Sequence, residues 1–281
     1  MKTKKSIAMI SLFLAFCLLA LGGCAKIAEG IGGPDSLPAI KSPVTGVLFS
    51  PLAPLGSSSP EETTGPADTT APPEPPNPRN DIVICVDAGH GGYDSGTGGL
   101  YNRVAYAEKD IALTVALMVK DELLALGYQV MMTRSDDTFV ELGDRRIISS
   151  NAKAAMFVSV HCNSFGGSGR AWGTEVYYYD NSAAQYNAPA LASVMCRAIE
   201  TVTPSYPAMR DVVRAKGDMA YLTYNLAVLK NAHIPSLLVE LGYMSDESDM
   251  SLFANPAWLA DMAHALAQGV EDAYAAGMIA K

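Results

Sequence analysis

Four ionisable side chains stand at points where the sequence pattern changes. His90 and His161 each follow or close a continuous apolar run of the kind that forms a buried strand. Glu240 ends a third apolar run, and Glu108 begins a stretch with helical spacing. Because open α/β sheets bind ligands at the carboxyl ends of their strands, we expect these four groups to share one site.

The two imidazoles in this set favour a metal ion. A single histidine in a glycine-rich loop, as His90 is in residues 87–92, is more often a surface or structural residue. Two histidines at one sheet edge together with a carboxylate instead match a three-ligand zinc site that keeps a position open for water. Glu108 is the expected third ligand, although its place at a helix start would also favour the helix dipole. Asp94 and Asp110 are nearby acids that compete for the same role.

Glu240 has apolar neighbours on both sides in the segment Leu237-Leu238-Val239-Glu240-Leu241-Gly242. A buried carboxylate is costly unless it is paired, hydrogen-bonded or functional, and burial raises its pKa. A raised pKa suits a general base that accepts a proton from water. The structural alternative is a core glutamate that accepts hydrogen bonds from backbone amides.

The elements that must position these groups alternate between strands and helices from residue 81 onward. This alternation predicts a single α/β domain with a mixed or mostly parallel sheet between helix layers. Gly127 is the expected stop of the first helix. The predicted strands span residues 82–87, 128–133, 156–161, 173–179, 226–230 and 236–241, and the predicted helices span residues 108–126, 142–153, 189–202 and 256–278.

Residues 1–80 differ in character from this domain. Residues 1–23 combine an early lysine cluster with an apolar stretch too short to span a membrane, as in a secretory signal. The stretch ends in Leu21-Gly22-Gly23-Cys24, which resembles the lipobox of bacterial lipoproteins, whose cysteine carries the lipid. A plain secretory signal is the alternative. Residues 24–80 are rich in Pro, Ser and Thr, which predicts a disordered tether.

The charge and the cysteines narrow the class of partner. The formal net charge of −9 disfavours nucleic acid, because phosphate binding relies on clustered Lys and Arg. Beyond the signal and Cys24, the chain keeps Cys85, Cys162 and Cys196. Their odd number and apolar surroundings predict buried free thiols rather than a disulfide framework.

Six segments that hold the ionisable residues and their flanking glycines occur in one order along the domain: Val86–Gly96, Glu108–Leu113, Thr133–Asp136, Phe157–Ser164, Gly173–Tyr178 and Pro235–Ser245. Together they resemble the N-acetylmuramoyl-L-alanine amidases of the amidase-3 family. The resemblance covers nearly all of residues 81–281. It implies a mixed, mostly parallel six-stranded sheet flanked by helices on both faces. It also implies that Zn²⁺ is held by His90, Glu108 and His161 and that Glu240 is the catalytic glutamate.

The resemblance further implies a reaction and a place for it. Such an enzyme hydrolyses the amide between the lactyl group of N-acetylmuramic acid and L-alanine of peptidoglycan stem peptides, through zinc-activated water. We expect an extracytoplasmic monomer, held at the outer face of the membrane by a lipid on Cys24, that acts on peptidoglycan. Asn163 and Arg214 are the expected substrate contacts, since the bidentate fork of Arg214 suits a stem-peptide carboxylate.

Two other functions fit the same residues. One is a different zinc-dependent cell-wall peptidase or carbohydrate deacetylase, and the other is a non-catalytic wall-binding lipoprotein. The complete set of four ionisable residues argues against the second. Some members of the resembled family carry an inhibitory helix over the metal. The segment 185–230 is too short for such a helix beyond the core one, which predicts an open site.

Overall fold

The computed structural model describes residues 79–167, 170–180, 186–209, 213–217, 222, 226–230 and 233–279. The predicted signal, the lipobox with Cys24 and the tether up to residue 78 lie outside these residues. The predicted division of the chain into signal, tether and catalytic domain therefore stays a prediction.

A six-stranded sheet forms the centre of the domain. Its strands are β1 Val83–Ala88, β4 Gln129–Met132, β5 Met156–Asn163, β6 Glu175–Tyr178, β7 Arg214–Gly217 and β8 Ser236–Tyr243, and β2 Gly98–Tyr101 and β3 Val104–Ala107 form a separate hairpin. The order in the sheet is β4-β1-β5-β8-β6-β7. Strands β4, β1, β5 and β8 run parallel, β6 is antiparallel to β8, and β7 is parallel to β6. The sheet is thus mixed and mostly parallel, as predicted.

Helices cover both faces of this sheet, as predicted. The α-helices of the described residues are α1 Glu108–Ala125, α2 Leu142–Asn151, α3 Ala188–Glu200, α4 Glu247–Phe253 and α5 Pro256–Ala275. Because side chains alternate along a strand, Val158 of β5 packs into the core with α1, α3 and α5, whereas Phe157 joins a smaller cluster on the opposite face. On that opposite face Arg145 of α2 contacts Asp87 of β1.

Gly127 stops α1 as predicted. It has a left-handed backbone with φ of 92°, and the amides of Gly127 and Tyr128 bond to the carbonyls of Leu124 and Leu123. This is the double hydrogen bond of a Schellman cap, which satisfies carbonyls left over at the helix end. Among the described helices, none has both the length and the hydropathy to cross a membrane.

One predicted strand is wrong. Residues 226–230 form a turn, although Val228 and Leu229 are buried beneath the sheet beside Phe157. A short apolar run reports burial more reliably than it reports conformation, so it was compatible with both outcomes. The other predicted elements are present, with ends shifted by three residues or fewer.

The three cysteines of the domain are free and buried, as predicted. Burial raises the pKa of the Cys85 and Cys196 thiols to about 12 and raises that of Cys162 well above its ordinary value. A thiol with such a pKa stays protonated at neutral pH and is a poor nucleophile.

Candidate active site

His90 lies in the turn that follows β1. Its backbone is left-handed, with φ of 58°, a conformation that non-glycine residues adopt only when their surroundings enforce it. The enforcement comes from two buried guanidiniums: Arg145 donates to the carbonyl of His90 (2.9 Å), and Arg134 donates to the carbonyl of Gly89 (2.7 Å). These hydrogen bonds fix the direction in which the imidazole leaves the sheet.

Glu108 joins the two histidines. Its Oε1 lies 3.0 Å from Nε2 of His90 and 2.9 Å from Nδ1 of His161. One donor atom from each of the three residues lies within 4.8 Å of the others. The three residues come from the end of β1, the start of α1 and the end of β5, so the fold gathers at one place groups that are distant in sequence.

The carboxylate of Glu108 is buried and held from several sides. Its Oε2 accepts the amide of Thr97 (2.8 Å), and its Oε1 accepts the amide of Cys162 (3.0 Å). A Cβ on Gly96 would lie 2.5 Å from Oε2, so only glycine permits this approach. Burial alone would raise the pKa of Glu108, but the two imidazoles outweigh it and hold that pKa well below its usual range.

Asp94 lies behind His90 rather than beside His161. Its Oδ2 is 2.8 Å from Nδ1 of His90, the ring nitrogen that faces away from Glu108. Burial acts to lower the pKa of His90, but Glu108 and Asp94 raise it overall. Asp110, the other competing acid, is exposed on the first turn of α1. Neither acid is in the cluster that His90, Glu108 and His161 form.

The donor set fits a zinc ion. Two imidazole nitrogens and one carboxylate oxygen are ligands that zinc prefers, and three protein ligands leave room for water or substrate. The Asp94–His90 pair reproduces the outer carboxylate that orients a ligating imidazole. A Cβ on Gly89 would lie 2.4 Å from the His161 ring, so the glycine there leaves the space the ring occupies.

Glu240 lies next to this cluster on β8. Its Cα is in register with that of His161 on the parallel neighbour β5. Among the described residues, its Oε2 is buried and has no hydrogen-bond partner, so the backbone-amide alternative gains no support at this oxygen. Burial, together with the charges of Glu108 and Glu175, raises the pKa of Glu240 well above its ordinary value.

Glu175 is a fully buried carboxylate on β6, the strand next to Glu240. It is in register with Glu240 across β6 and β8 and with Arg214 across β6 and β7. Its Oε1 accepts from Arg214 (3.2 Å) and closely from Lys216. Its Oε2 accepts a hydrogen bond from the hydroxyl of Tyr177 (2.7 Å) and a longer one from the side-chain amide of Asn163 (3.4 Å). The two expected substrate contacts, Asn163 and Arg214, thus meet at one carboxylate beside Glu240.

Glu175 and Arg145 have roles in the site region that the sequence did not single out. Glu175 lies in one of the segments that carry the family resemblance, and its following Val-Tyr-Tyr pattern marks a strand, so a buried acid in a strand was a readable signal. Arg145 stands among the polar residues of α2, where nothing in the local pattern distinguishes a buried guanidinium from an exposed one.

The side chains of His90 and His161 are 24% and 15% exposed, so the described part of the domain leaves the cluster within reach of solvent. Residues 185, 210–212, 218–221 and 223–225 lie outside the described part of the chain, and the prediction that no extra helix covers the site falls partly on them. The open site therefore stays a prediction.

The fold and the four gathered groups define an α/β enzyme with a candidate metal site at the carboxyl edge of its sheet. Residues 84–272 match the family model described as N-acetylmuramoyl-L-alanine amidase. The chain therefore belongs to the N-acetylmuramoyl-L-alanine amidase family, which confirms the resemblance found in the sequence.

Individual relatives agree with this assignment. The chain is 32% identical to the N-acetylmuramoyl-L-alanine amidase AmiC of Neisseria meningitidis serogroup B over 234 residues, which cover 71% of this chain and 55% of that protein. The match therefore spans about half of AmiC.

Two solved structures share the fold. N-acetylmuramoyl-L-alanine amidase AmiC2 of Nostoc punctiforme superposes with a TM-score of 0.58 at 33% identity, covering 69% of this chain and 97% of that one. An N-acetylmuramoyl-L-alanine amidase from Clostridium difficile 630 gives a TM-score of 0.60 at 28% identity, with 70% and 98% coverage.

Proposed function

We propose that this chain is a zinc-dependent amidase that hydrolyses the bond between the lactyl group of N-acetylmuramic acid and L-alanine of peptidoglycan stem peptides. The observation that carries the proposal is the convergence of His90, Glu108 and His161 within 4.8 Å, with Glu240 in register beside His161. Membership of the amidase family supports hydrolysis of this amide rather than a peptidase or deacetylase reaction.

In this proposal His90, Glu108 and His161 hold the metal. When bound, zinc supplies Lewis-acid polarisation of the scissile carbonyl and of the attacking water. The protein keeps the ligands oriented: Asp94 fixes the tautomer of His90, and two backbone amides fix Glu108. These contacts hold the His90 imidazole and the Glu108 carboxylate at the cluster.

Glu240 is the proposed general base. Its buried Oε2, which has no hydrogen-bond partner among the described residues, accepts the proton of the attacking water and then delivers it to the amine of L-alanine as the C–N bond breaks. A carboxylate whose pKa is raised by burial is a stronger base than an exposed one, and it can later act as the acid.

Arg214 and Asn163 are the proposed contacts for the stem peptide. Arg214 on β7 lies two strands away from Glu240 on β8, which is about 10 Å at the usual spacing of strands. An extended peptide covers that distance with about three residues. Half of the Arg214 side chain is exposed, so its guanidinium reaches both Glu175 and a substrate carboxylate.

The place of action that we propose is the outer face of the membrane, with a lipid on Cys24 and the tether of residues 24–80 reaching into the wall. The pattern of residues 1–24 and the cell-wall amidases among the relatives support this. We propose that the protein acts as a monomer.

Product analysis and metal content test the function together. We expect Glu240→Gln to keep stoichiometric zinc but to lose turnover by about 10²–10⁴-fold, because only the base is removed. His90→Ala and His161→Ala should each lose zinc. Mass spectrometry of digested peptidoglycan should show free L-alanine amino groups and intact peptide-free glycan, with Glu122→Gln on the remote part of α1 as control. Near-normal cleavage by Glu240→Gln, or full zinc in both histidine variants, would refute the assignment.

A further inference from the structure

Tyr93 projects from the turn beside His90. Its side chain is 81% exposed, and its ring stacks on Phe139 with 4.3 Å between centroids and 32° between planes. A large aromatic ring that remains this exposed three residues from a candidate metal ligand is unusual for a structural side chain. Exposed aromatic surface next to a site is typical of ligand contacts.

The turn that carries Tyr93 is firmly built. Gly91 and Asp94 exchange two backbone hydrogen bonds of 2.9 and 3.1 Å, which close a two-residue turn on Gly92 and Tyr93. Gly92 donates to Asp137 (2.8 Å) and accepts from Lys109 (2.9 Å). The backbone that carries the Tyr93 ring is therefore held in place by contacts within the domain.

Two loops meet directly beneath the rings. A Cβ on Gly91 would lie 2.2 Å from the carbonyl of Thr138, and one on Gly92 would lie 2.9 Å from the amide of Phe139. Only glycine at these positions lets the backbones approach so closely. The approach brings Tyr93 and Phe139 into contact and makes one continuous aromatic surface, which we call the aromatic pair.

The aromatic pair and the two cations of β7 lie at opposite ends of the site. The pair belongs to the turn after β1 and the loop after β4, on one side of β5. Arg214 and Lys216 belong to β7, beyond β8 and β6 on the other side. The metal cluster and Glu240 lie between them, at β1, β5 and β8. The bond that the proposed reaction cuts likewise has two unlike sides, an uncharged sugar and an acidic peptide.

Resting on the proposed function, we propose that the aromatic pair binds a pyranose ring of the glycan strand, so that the substrate lies across the sheet edge with sugar towards β1 and peptide towards β7. The face of an aromatic ring carries partial negative charge and attracts the C–H groups of a sugar face. Beside the aromatic pair, Lys109 is ion-paired with Asp137 (2.7 Å) and Asp94 is bonded to His90, so these contacts leave little positive charge there to attract an acidic peptide. Arg214 favours the peptide at the other end.

The experiment compares two substrates for the purified full chain. One is a soluble peptidoglycan fragment that keeps its glycan, and the other is a lactoyl-tripeptide with the same amide but no sugar ring. We expect Tyr93→Ala to raise KM about three- to tenfold on the first, the effect of one lost ring contact. On the lactoyl-tripeptide, kcat/KM should not change. Tyr93→Phe should retain most of the affinity, and Leu124→Ala, an exposed apolar residue near the far end of α1, is the control.

An equal loss on both substrates would overturn the proposal, because Tyr93 would then contact the peptide or support the structure of the turn. No loss on either substrate would overturn it as well. Calorimetric titration with peptide-free glycan separates this inference from the amidase assignment. Glycan that binds the wild type and binds Tyr93→Ala less tightly supports the aromatic pair even if neither substrate is hydrolysed. Equal glycan binding by both proteins overturns it even if hydrolysis is normal.

Discussion

Glu175 is the residue whose surroundings most directly affect the proposed base. Its carboxylate is fully buried, and Lys216, Arg214 and Tyr177 donate hydrogen bonds to it. Even with these partners, its negative charge contributes to the raised pKa of Glu240 on the neighbouring strand. The two acids are therefore coupled: Glu175 holds Arg214 and Lys216 in place, and its charge raises the pKa of Glu240.

Neutralising Glu175 should shift the pH dependence of catalysis. In Glu175→Gln the loss of a nearby negative charge lowers the pKa of Glu240, whatever other charges the site holds. The ionised base then persists to lower pH, so we expect the acidic limb of the profile of kcat/KM against pH to move to lower pH. The measurement is that profile on soluble peptidoglycan fragments.

The control for this change is Glu122→Gln, which removes an acid of the same type from the exposed part of α1. It should leave the acidic limb in place. A limb that moves to higher pH in Glu175→Gln, or that moves equally in both variants, would contradict the coupling between Glu175 and Glu240.

The turn between β1 and the hairpin sets the orientation of the His90 side chain. Arg134 and Arg145 are both buried and together donate to the carbonyls of Ala88, Gly89 and His90. Arg145 also pairs with the buried carboxylate of Asp87 (2.7 Å). The turn is thus fixed by side chains from the loop after β4 and from α2, and it has little freedom to adapt to an added group.

Adding a single methyl group to this turn should weaken metal binding and leave the fold unchanged. In Gly89→Ala the new Cβ would lie 2.4 Å from Cε1 of His161, so the ring must move. We expect metal affinity to fall by about ten- to a hundredfold, as when groups that orient ligands are lost. Calorimetric titration with zinc measures this affinity, and circular dichroism should show an unchanged fold.

Gly143→Ala is the matched control, because an added Cβ in α2 meets no atom within 4 Å. It should leave metal affinity unchanged and raise the free energy of unfolding by about 0.5 kcal/mol, since alanine loses less backbone entropy than glycine. Equal metal affinity in Gly89→Ala and the wild type would show that the His161 ring is not held where the structure places it.

The sequence predicts elements well where one physical signal dominates. Strands β1, β5 and β8 are buried on both faces and read as continuous apolar runs. Strand β7, with the sequence Arg-Ala-Lys-Gly, has no such run, because it is an edge strand paired only with β6. The hairpin of β2 and β3 turns on Asn102 and Arg103, both with positive φ, where Asn-Gly would have been the recognisable signal.

The same distinction applies to the site. His90, His161 and Glu240 could be found because each stands at the end of a recognisable strand, and sheet topology brings such ends together. Helix α4 was missed despite a usable signal, since the Asp246 side chain caps it by accepting two amides. The partners of Asp87 and Glu175 could not be predicted, because they come from segments whose packing no local pattern reports.

At the scale of the whole domain, one cluster ties the first described residue to the last helix. Arg79 donates to both carboxylate oxygens of Glu271 on α5, with 2.8 Å between Nε and Oε2. The hydroxyl of Tyr128 donates to the same Oε2 (2.7 Å), and the guanidinium of Arg79 lies over the ring of Tyr274. This cluster holds residue 79 against α5 on the N-terminal side of β1, whereas His90 follows the other end of that strand.

Removing the charge of Glu271 should therefore destabilise the domain in a pH-dependent way. The hydrogen bonds from Arg79 are the largest cause of a lowered pKa of Glu271. A carboxyl whose pKa is lower in the folded state stabilises the fold above its ordinary pKa of 4.5 and loses that effect as pH falls through the folded value. We expect Glu271→Gln to lower the free energy of unfolding by about 1–2 kcal/mol at neutral pH. Urea unfolding at a series of pH values should show this difference shrinking below the ordinary pKa. Asp272→Asn, at the exposed neighbouring position of α5, should show neither effect. A difference that stays constant down to strongly acidic pH would mean that Glu271 acts through packing rather than through its charge.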